Sequence, residues 1–380
     1  MCAVWAWPWL RNLRALPRLG TAWLGLAYWV FGVAGAVLVG HAGVGAQRLA
    51  YAGVFTLAAL AVVAWTRRPD ADLSVGIAAA LLIAVGLLFL AGAGNLFDGV
   101  HPVPNDSAPT LLMRDRFWGG PLLYYHPNSL AGLAIVAAIR IGPDRAFAAW
   151  QRLAVTCIAG FALSLTGSRI ALVFAGSAAL LHAVLVIRQR RGWLAAAVPF
   201  AVLALVLVLS GGKGFLFRDR FGANDVTSGR VDTWRQVAAD WRHAGWAEKA
   251  FGDARTSRAV VIRRDDGAPP EGPRLKLNTD NAAVGALRRG GVFGVLAFVL
   301  GLALLVRHAL TCRPAAWFVI AVLGVLPTIA TEDWLLGGTN GGLWILLLAG
   351  EAYRVYSPAP VERDGQAAHQ PQVDQVVAGP

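Results

Sequence analysis

The chain has 380 residues, of which 57% are hydrophobic and only 15% charged, with a formal net charge of +12 and a mean hydropathy of +0.55. A soluble globular chain carries about 25% charged residues, so this composition excludes an ordinary soluble enzyme and indicates a bilayer as solvent. The positive charge does not indicate nucleic-acid binding, because most basic residues lie in short connections between apolar runs.

Ten apolar runs are long enough to cross a membrane as helices. They predict an all-α, polytopic integral membrane protein with about ten transmembrane helices. The runs are approximately 21–40, 49–65, 74–93, 122–139, 147–165, 170–187, 193–210, 282–306, 315–330 and 334–350.

The distribution of arginine predicts the orientation of these helices. Basic residues concentrate in alternate short connections, and the positive-inside rule places those connections in the cytoplasm. The predicted cytoplasmic arginines are Arg11, Arg14, Arg18, Arg67, Arg68, Arg140, Arg145, Arg152, Arg188, Arg190, Arg191, Arg307, Arg313, Arg354 and Arg363. The short connections of the other face hold only Arg48, Arg114, Arg116 and Arg169. Both termini are therefore predicted to be cytoplasmic.

This topology divides the chain into five parts. We predict a cytoplasmic arm over 1–20, helices one to seven over 21–210, an extracytoplasmic loop over 211–279, helices eight to ten over 280–355 and a disordered cytoplasmic tail over 356–380. Within the loop, Ser228 is a plausible N-cap, and Trp234 and Trp241 follow at helical spacing. The loop should therefore contain an amphipathic helix lying on the membrane face.

Polar clusters lie at several predicted helix ends, and the topology places them all on the outer face. Arg169 and Arg230 each start a predicted helix, so a guanidinium fork would combine there with the positive end of a helix dipole. Two such positions could hold a diphosphate. For each arginine alone, the competing interpretation is an anchor at the membrane interface.

The other polar residues of these clusters have structural interpretations as well. His126 could be a base, a hydrogen-bond donor at a helix start or a bystander. Asp280 would by itself be taken as an N-cap, and Glu332 and Asp333 as part of a solvated loop. Arg288 and Arg289 lie two turns into the eighth helix, where a charge should face protein, water or a lipid phosphate.

These motifs resemble the O-antigen ligase and polymerase superfamily over roughly 122–351. The shared runs, in the order of the family, are HPNSLAG at 126–132, TGSRIAL at 166–172 and SGRVDTW at 228–234. The most specific piece follows the loop, where Asp280 and Asn281 precede nine residues and then the Gly-Val-Phe-Gly run of 291–294. Ligases have histidine at the position of Asp280.

The resemblance implies transfer of a glycan from a polyprenyl-diphosphate carrier to an acceptor hydroxyl, a glycan or glycolipid, at the outer face of the bacterial cytoplasmic membrane. It implies no cofactor and no metal. Arg169 and Arg230 would neutralise the diphosphate, and Asp280 would take the place of the catalytic base. We expect the substrate to be bound by His126, Asn128, Ser168, Asn281, Arg288 and Arg289.

Aspartate at position 280 leaves alternatives open, because its ordinary pKa of about 3.9 makes it a weaker base than histidine near neutral pH. Asp280 could orient the acceptor while His126 takes the proton, or the protein could be a divergent polymerase or an inactive relative. Two other functions also compete with transfer: a transporter or flippase of a lipid-linked glycan, and a non-catalytic envelope scaffold.

Overall fold

The structure is a computed structural model that describes residues 11–66, 73–93, 100–104, 115–119, 127–144, 146–166, 168–188, 197, 199–205, 230–252, 259–261, 276–278, 281–311, 316–330, 332 and 341–356. Its helices are α1 (Gly20–Leu38), α2 (Ala42–Thr66), α3 (Leu73–Ala93), α4 (Pro127–Ile141), α5 (Ala149–Thr166), α6 (Arg169–Arg188), α7 (Arg230–His243), α8 (Trp246–Phe251), α9 (Ala282–Thr311), α10 (Ala316–Val325) and α11 (Gly341–Tyr356). Short 3₁₀ helices occupy Arg11–Arg18 and Leu326–Thr328, and residues 199–205 are helical.

The prediction of an all-α membrane protein is confirmed. Within the described residues, four helices are long and apolar enough to cross a membrane: α1, α2, α6 and α9. Helices form here because hydrocarbon offers no partner to a backbone amide or carbonyl, and a helix satisfies these groups internally. Shorter apolar helices occupy the third, fourth and ninth predicted spans, while the total of ten spans stays a prediction.

The connection after the third predicted span and the predicted extracytoplasmic loop each contain a pair of short antiparallel strands. β1 (Val100–Pro104) pairs with β2 (Asp115–Gly119) between α3 and α4. β3 (Ala259–Val261) pairs with β4 (Lys276–Asn278) between α8 and α9. Both pairs belong to the connections, and the first pair packs against α3, α4 and α5.

Helices α1 and α9 approach each other closely because glycine faces glycine along their contact. A Cβ added to Gly20 would overlap the backbone of Gly301, and one added to Gly290 would overlap the carbonyl of Ala27. Small residues allow such close approach, which is how membrane helices associate where no hydrophobic effect separates protein from lipid. This contact fixes α9, and therefore its two ends, against the first helix.

Helix α9 is interrupted at Gly291, whereas the sequence predicted one continuous eighth span. Gly291 has φ 61° and ψ −155°, a conformation that other residues rarely adopt. The break gives room to the end of α8, because the backbone of Ala250 and the amide of Gly252 lie where a Cβ of Gly291 would be. The interruption thus serves the docking of the loop helices onto the bundle.

The last helix, α11, extends beyond the predicted end at residue 350, and its residue Glu351 is buried with hydrogen-bond partners inside the protein. Its buried carboxylate accepts hydrogen bonds from the amides of Gly20 (2.7 Å) and Thr21 (2.9 Å), and from the Thr21 hydroxyl (2.7 Å). His308 Nδ1 lies 2.6 Å from the same carboxylate. Glu351 therefore caps α1 and joins it to the far end of α9.

We expect Glu351→Ala to lower the stability of the protein more than other substitutions in α11. The change would leave buried amides and a hydroxyl without acceptors, at a cost of about 1–3 kcal/mol for each group. Thermal unfolding of the purified protein in detergent measures the effect. Tyr353→Phe, at an exposed position of the same helix, should leave the melting temperature unchanged, and equal melting of the two variants would contradict the capping role.

Candidate functional site

Three helices begin at one end of the bundle, and residues 326–330 and 332 connect them. α6 packs against the 3₁₀ turn Leu326–Thr328. The first amide of α9, at Ala282, donates to Ile329 O at 2.9 Å, and Asn128 in the first turn of α4 bonds to Glu332. The positive ends of three helix dipoles therefore meet around this segment.

Glu332 connects two of the predicted site residues. Its Oε1 accepts a hydrogen bond of 2.6 Å from Asn128 Nδ2 and lies 3.8 Å from Arg230 Nη2. The residue is only 6% exposed, so its interpretation as part of a solvated loop was wrong. The Glu332 carboxylate can be buried because an amide donor and a cation lie beside it.

Arg230 is the first residue of α7, which packs against α8, α9 and both strands of the loop. Thr233 and Val237 are buried on its inner side, whereas Arg235, Asp240 and Arg242 are exposed. The helix is amphipathic as predicted, but its buried side contacts protein. That packing positions the Arg230 guanidinium at the same end of the bundle as the starts of α4, α6 and α9.

Asn281 is the N-cap of α9, and both ends of its carboxamide contact the protein. Oδ1 accepts from the Val284 amide at 2.9 Å, and Nδ2 donates to Ala330 O at 2.8 Å. These bonds satisfy an amide that the helix start would leave without a partner. Asn281 is therefore placed to hold α9 against the segment that carries Glu332.

Ser168 and Arg169 form the start of α6. Ser168 is buried, and its Oγ accepts from the Ala171 amide at 3.1 Å, the bond of an N-cap. Arg169 follows as the first helical residue and is half-buried. The serine thus fixes the position from which the Arg169 side chain leaves the helix.

The second half of the most specific motif lies where the loop helices contact the bundle. Arg289, 9% exposed, precedes the break at Gly291, and Arg288 is half-buried. Past the break, the ring of Phe293 lies 5.2 Å from Phe251 of α8 and 5.9 Å from Phe31 of α1. The spaced glycines and the phenylalanine between them therefore join α8, α9 and α1.

Two predicted site residues, Asp280 and His126, lie outside the described residues. Those that are described form three sets. Asn128 and Arg230 both contact Glu332. Asn281 contacts Ala330, two residues before Glu332. Ser168 and Arg169 come to the same end through the packing of α6, and Arg288 and Arg289 lie two turns along α9.

Glu332 is the residue that sequence reasoning missed, although one signal was available. It belongs to a short acidic pair between apolar runs in a chain poor in acids, and an acid near a membrane helix end commonly has a partner. Chemically, the two helix-start arginines and the converging helix dipoles suit a phosphate-bearing ligand. Among the described residues, no group of three or more His, Cys, Asp or Glu has the arrangement of a metal site.

Comparison with known proteins adds the family. Residues 154–299 match the family model described as O-Antigen ligase, a segment that runs from α5 into α9 and includes Arg169, Arg230 and the 291–294 motif. No curated protein matches the chain. The family supports an O-antigen ligase- or polymerase-like function in the assembly of cell-surface polysaccharide. Together with its apolar helices, the match supports a bacterial membrane protein that is similar, over residues 154–299, to the O-antigen ligase family.

Proposed function

We propose that the protein transfers a glycan from a polyprenyl-diphosphate carrier to an acceptor hydroxyl at the outer face of the cytoplasmic membrane. The observation that carries this proposal is the contact of Arg230 with Glu332, which places one helix-start arginine at the end of the bundle where α6 begins with the other. Both arginines lie inside the matched family segment. Their charge suits a diphosphate, the group that must leave in such a transfer.

In the reaction we propose, the acceptor oxygen attacks the anomeric carbon of the sugar joined to the carrier. A new carbon–oxygen bond forms as the bond from that carbon to the diphosphate oxygen breaks, with inversion at carbon. The diphosphate retains the bonding electrons, and Arg169 and Arg230 stabilise the developing charge. The guanidinium groups thus take the part that a metal ion plays in many other phosphate-handling sites.

Glu332 and Asn128 position Arg230 in this proposal. The separation of 3.8 Å between Arg230 Nη2 and Glu332 Oε1 is that of an ion pair without a direct hydrogen bond, and this contact orients the guanidinium. Asn128 in turn holds the carboxylate by a 2.6 Å bond. Asn281, the N-cap that follows Asp280, has the corresponding role for α9.

The acceptor must lose a proton, and we propose Asp280 as the group that accepts it. It directly precedes the N-cap of α9 and has the position of the ligase histidine. His126, two residues before Asn128, is the alternative base, with Asp280 then orienting the acceptor. The two assignments differ in pH dependence, because a histidine base loses activity as the pH falls through about 6.5, whereas a carboxylate remains ionised there.

An assay with purified protein and a fluorescent polyprenyl-diphosphate oligosaccharide tests the proposal. The wild type should form product with at least one acceptor of a panel that includes the glycan itself. Asp280→Asn should lower kcat by about 10²-fold or more if Asp280 is the base, and His126→Ala should have the larger effect if His126 is. If the carrier-linked donor is not consumed with any acceptor, the protein is not a transferase and a scaffolding role is favoured. If the glycan crosses the membrane of proteoliposomes without covalent transfer, transport is favoured instead.

A further inference from the structure

A second binding feature is a cavity between α4, α5, α6 and the helical residues 199–205. Its volume is about 550 Å³, and its walls are mostly aliphatic, with Ile135, Leu163 and Ala179 among them. Cavities of this size and composition bind small apolar ligands. Leu153 of α5 lines the cavity and is 55% exposed, so the cavity reaches the lipid-facing surface.

The polar residues of this cavity lie at one end. Arg152 near the start of α5 and His182 near the end of α6 both line it, next to Gly142 and Pro143. Along α4, Asn128 and Gly142 are separated by fourteen residues, or about 21 Å at the helical rise of 1.5 Å per residue. The polar end of the cavity is therefore on the opposite side of the bundle from the candidate site. The arginine distribution predicts that this side is cytoplasmic.

The charges around this end leave an excess of positive charge. Arg140 is buried, donates to Ser74 Oγ and Asp144 Oδ2, both at 2.7 Å, and lies over the Trp317 ring. Burial raises the pKa of Asp144, but the hydrogen bond from Arg140, the amide of Ala146 and the charges of Arg140 and Arg152 lower it more, so its pKa falls below the ordinary value. Asp144 is thus a carboxylate whose two oxygens already accept from Arg140 and Ala146.

Arg152 is the cation that this arrangement leaves for a ligand. Its Nε is buried, and no residue in the described parts of the chain accepts a hydrogen bond from it. The neighbouring Trp150 is 70% exposed, as is typical of an aromatic anchor at the level of lipid headgroups. An anionic headgroup at Arg152 would therefore have its chains beside an apolar cavity of the same leaflet.

We infer that this cavity binds an anionic phospholipid, with its phosphate at Arg152 and an acyl chain between α5 and α6. The phosphate supplies the acceptor that Arg152 Nε lacks, and the aliphatic walls take the chain. The carrier of the proposed reaction does not fit this assignment, because its diphosphate is needed at the other end of the bundle. The choice of a phospholipid over the carrier rests on the proposed function, whereas the cavity and the Arg152 contact do not.

The test uses purified full-length protein in neutral-lipid nanodiscs and phosphatidylglycerol with a photoactivatable group at the end of one chain. Cross-linked peptides from α5 and α6 are expected, and excess unlabelled phosphatidylglycerol should displace the label. Arg152→Gln should lower the labelling at least about tenfold, and Ala179→Leu should lower it by filling the cavity. Arg188→Gln and Val184→Leu, at exposed positions of α6, should label as the wild type does.

Three outcomes would overturn the inference. Labelling spread over all lipid-facing helices of the wild-type protein would show only general contact with the bilayer. Equal labelling of the Arg152 and Arg188 variants would remove the headgroup contact. Displacement by a polyprenyl phosphate but not by phosphatidylglycerol would assign the cavity to the carrier instead.

Discussion

Arg230→Ala is expected to reduce the rate of glycan transfer by a factor on the order of 10² to 10⁴ while the protein still folds and inserts. A guanidinium contributes about 1.5–3 kcal/mol for each charge-assisted hydrogen bond to phosphate, and a bidentate contact makes two. Arg230→Lys should retain part of the activity, because it keeps the charge without the planar fork. Steady-state kinetics with the fluorescent donor measure both effects.

The matched control is Arg242→Ala, which removes the same side chain from an exposed position in the last turn of the same helix. It should transfer as the wild type does. Glu332→Gln should lower the rate by a smaller factor, and by none once Arg230 is alanine, because Glu332 acts through that guanidinium. Additive losses in the double variant would contradict this positioning role, and full activity of Arg230→Ala would remove Arg230 from the site.

Gly291→Ala is expected to destabilise the contact between the loop helices and the bundle by several kcal/mol. Alanine at φ 61° and ψ −155° costs about 1–3 kcal/mol in backbone strain. Its Cβ would also overlap the backbone of Ala250, which is less able to move than a side chain. Thermal unfolding and hydrogen exchange of the α8 amides measure the loss, and transfer should fall with it because α7 is held through α8 and α9.

Gly176→Ala is the control for Gly291→Ala. Gly176 lies within α6, and a Cβ there would contact nothing within 4 Å, so alanine should be neutral or slightly stabilising through its higher helix propensity. Equal stability and equal hydrogen exchange in the Gly291→Ala and Gly176→Ala proteins would show that α8 does not depend on the break in α9.

Local sequence signals predicted the helices and where two important ones begin. The apolar runs specify membrane helices because the solvent requirement acts on each run separately. Arg169 and Arg230 were each predicted to start a helix, and α6 and α7 begin at these residues. The Ser228 N-cap itself lies outside the described residues. The break at Gly291 was not predicted, although glycine permits it, because its cause is the end of α8 some forty residues earlier.

The sequence by itself thus determined a bilayer-embedded helical protein, its similarity to the O-antigen ligase family over residues 154–299 and the two arginines that open helices at the predicted outer face. Only the tertiary structure decided that Glu332 is buried between Asn128 and Arg230, that Asn281 is occupied as a cap, and that Glu351 joins the first, ninth and eleventh helices. Glu332 and Asn128 are separated by 204 positions. No local pattern records such a pairing, because whether a carboxylate meets solvent, an amide or a guanidinium depends on how distant helices pack.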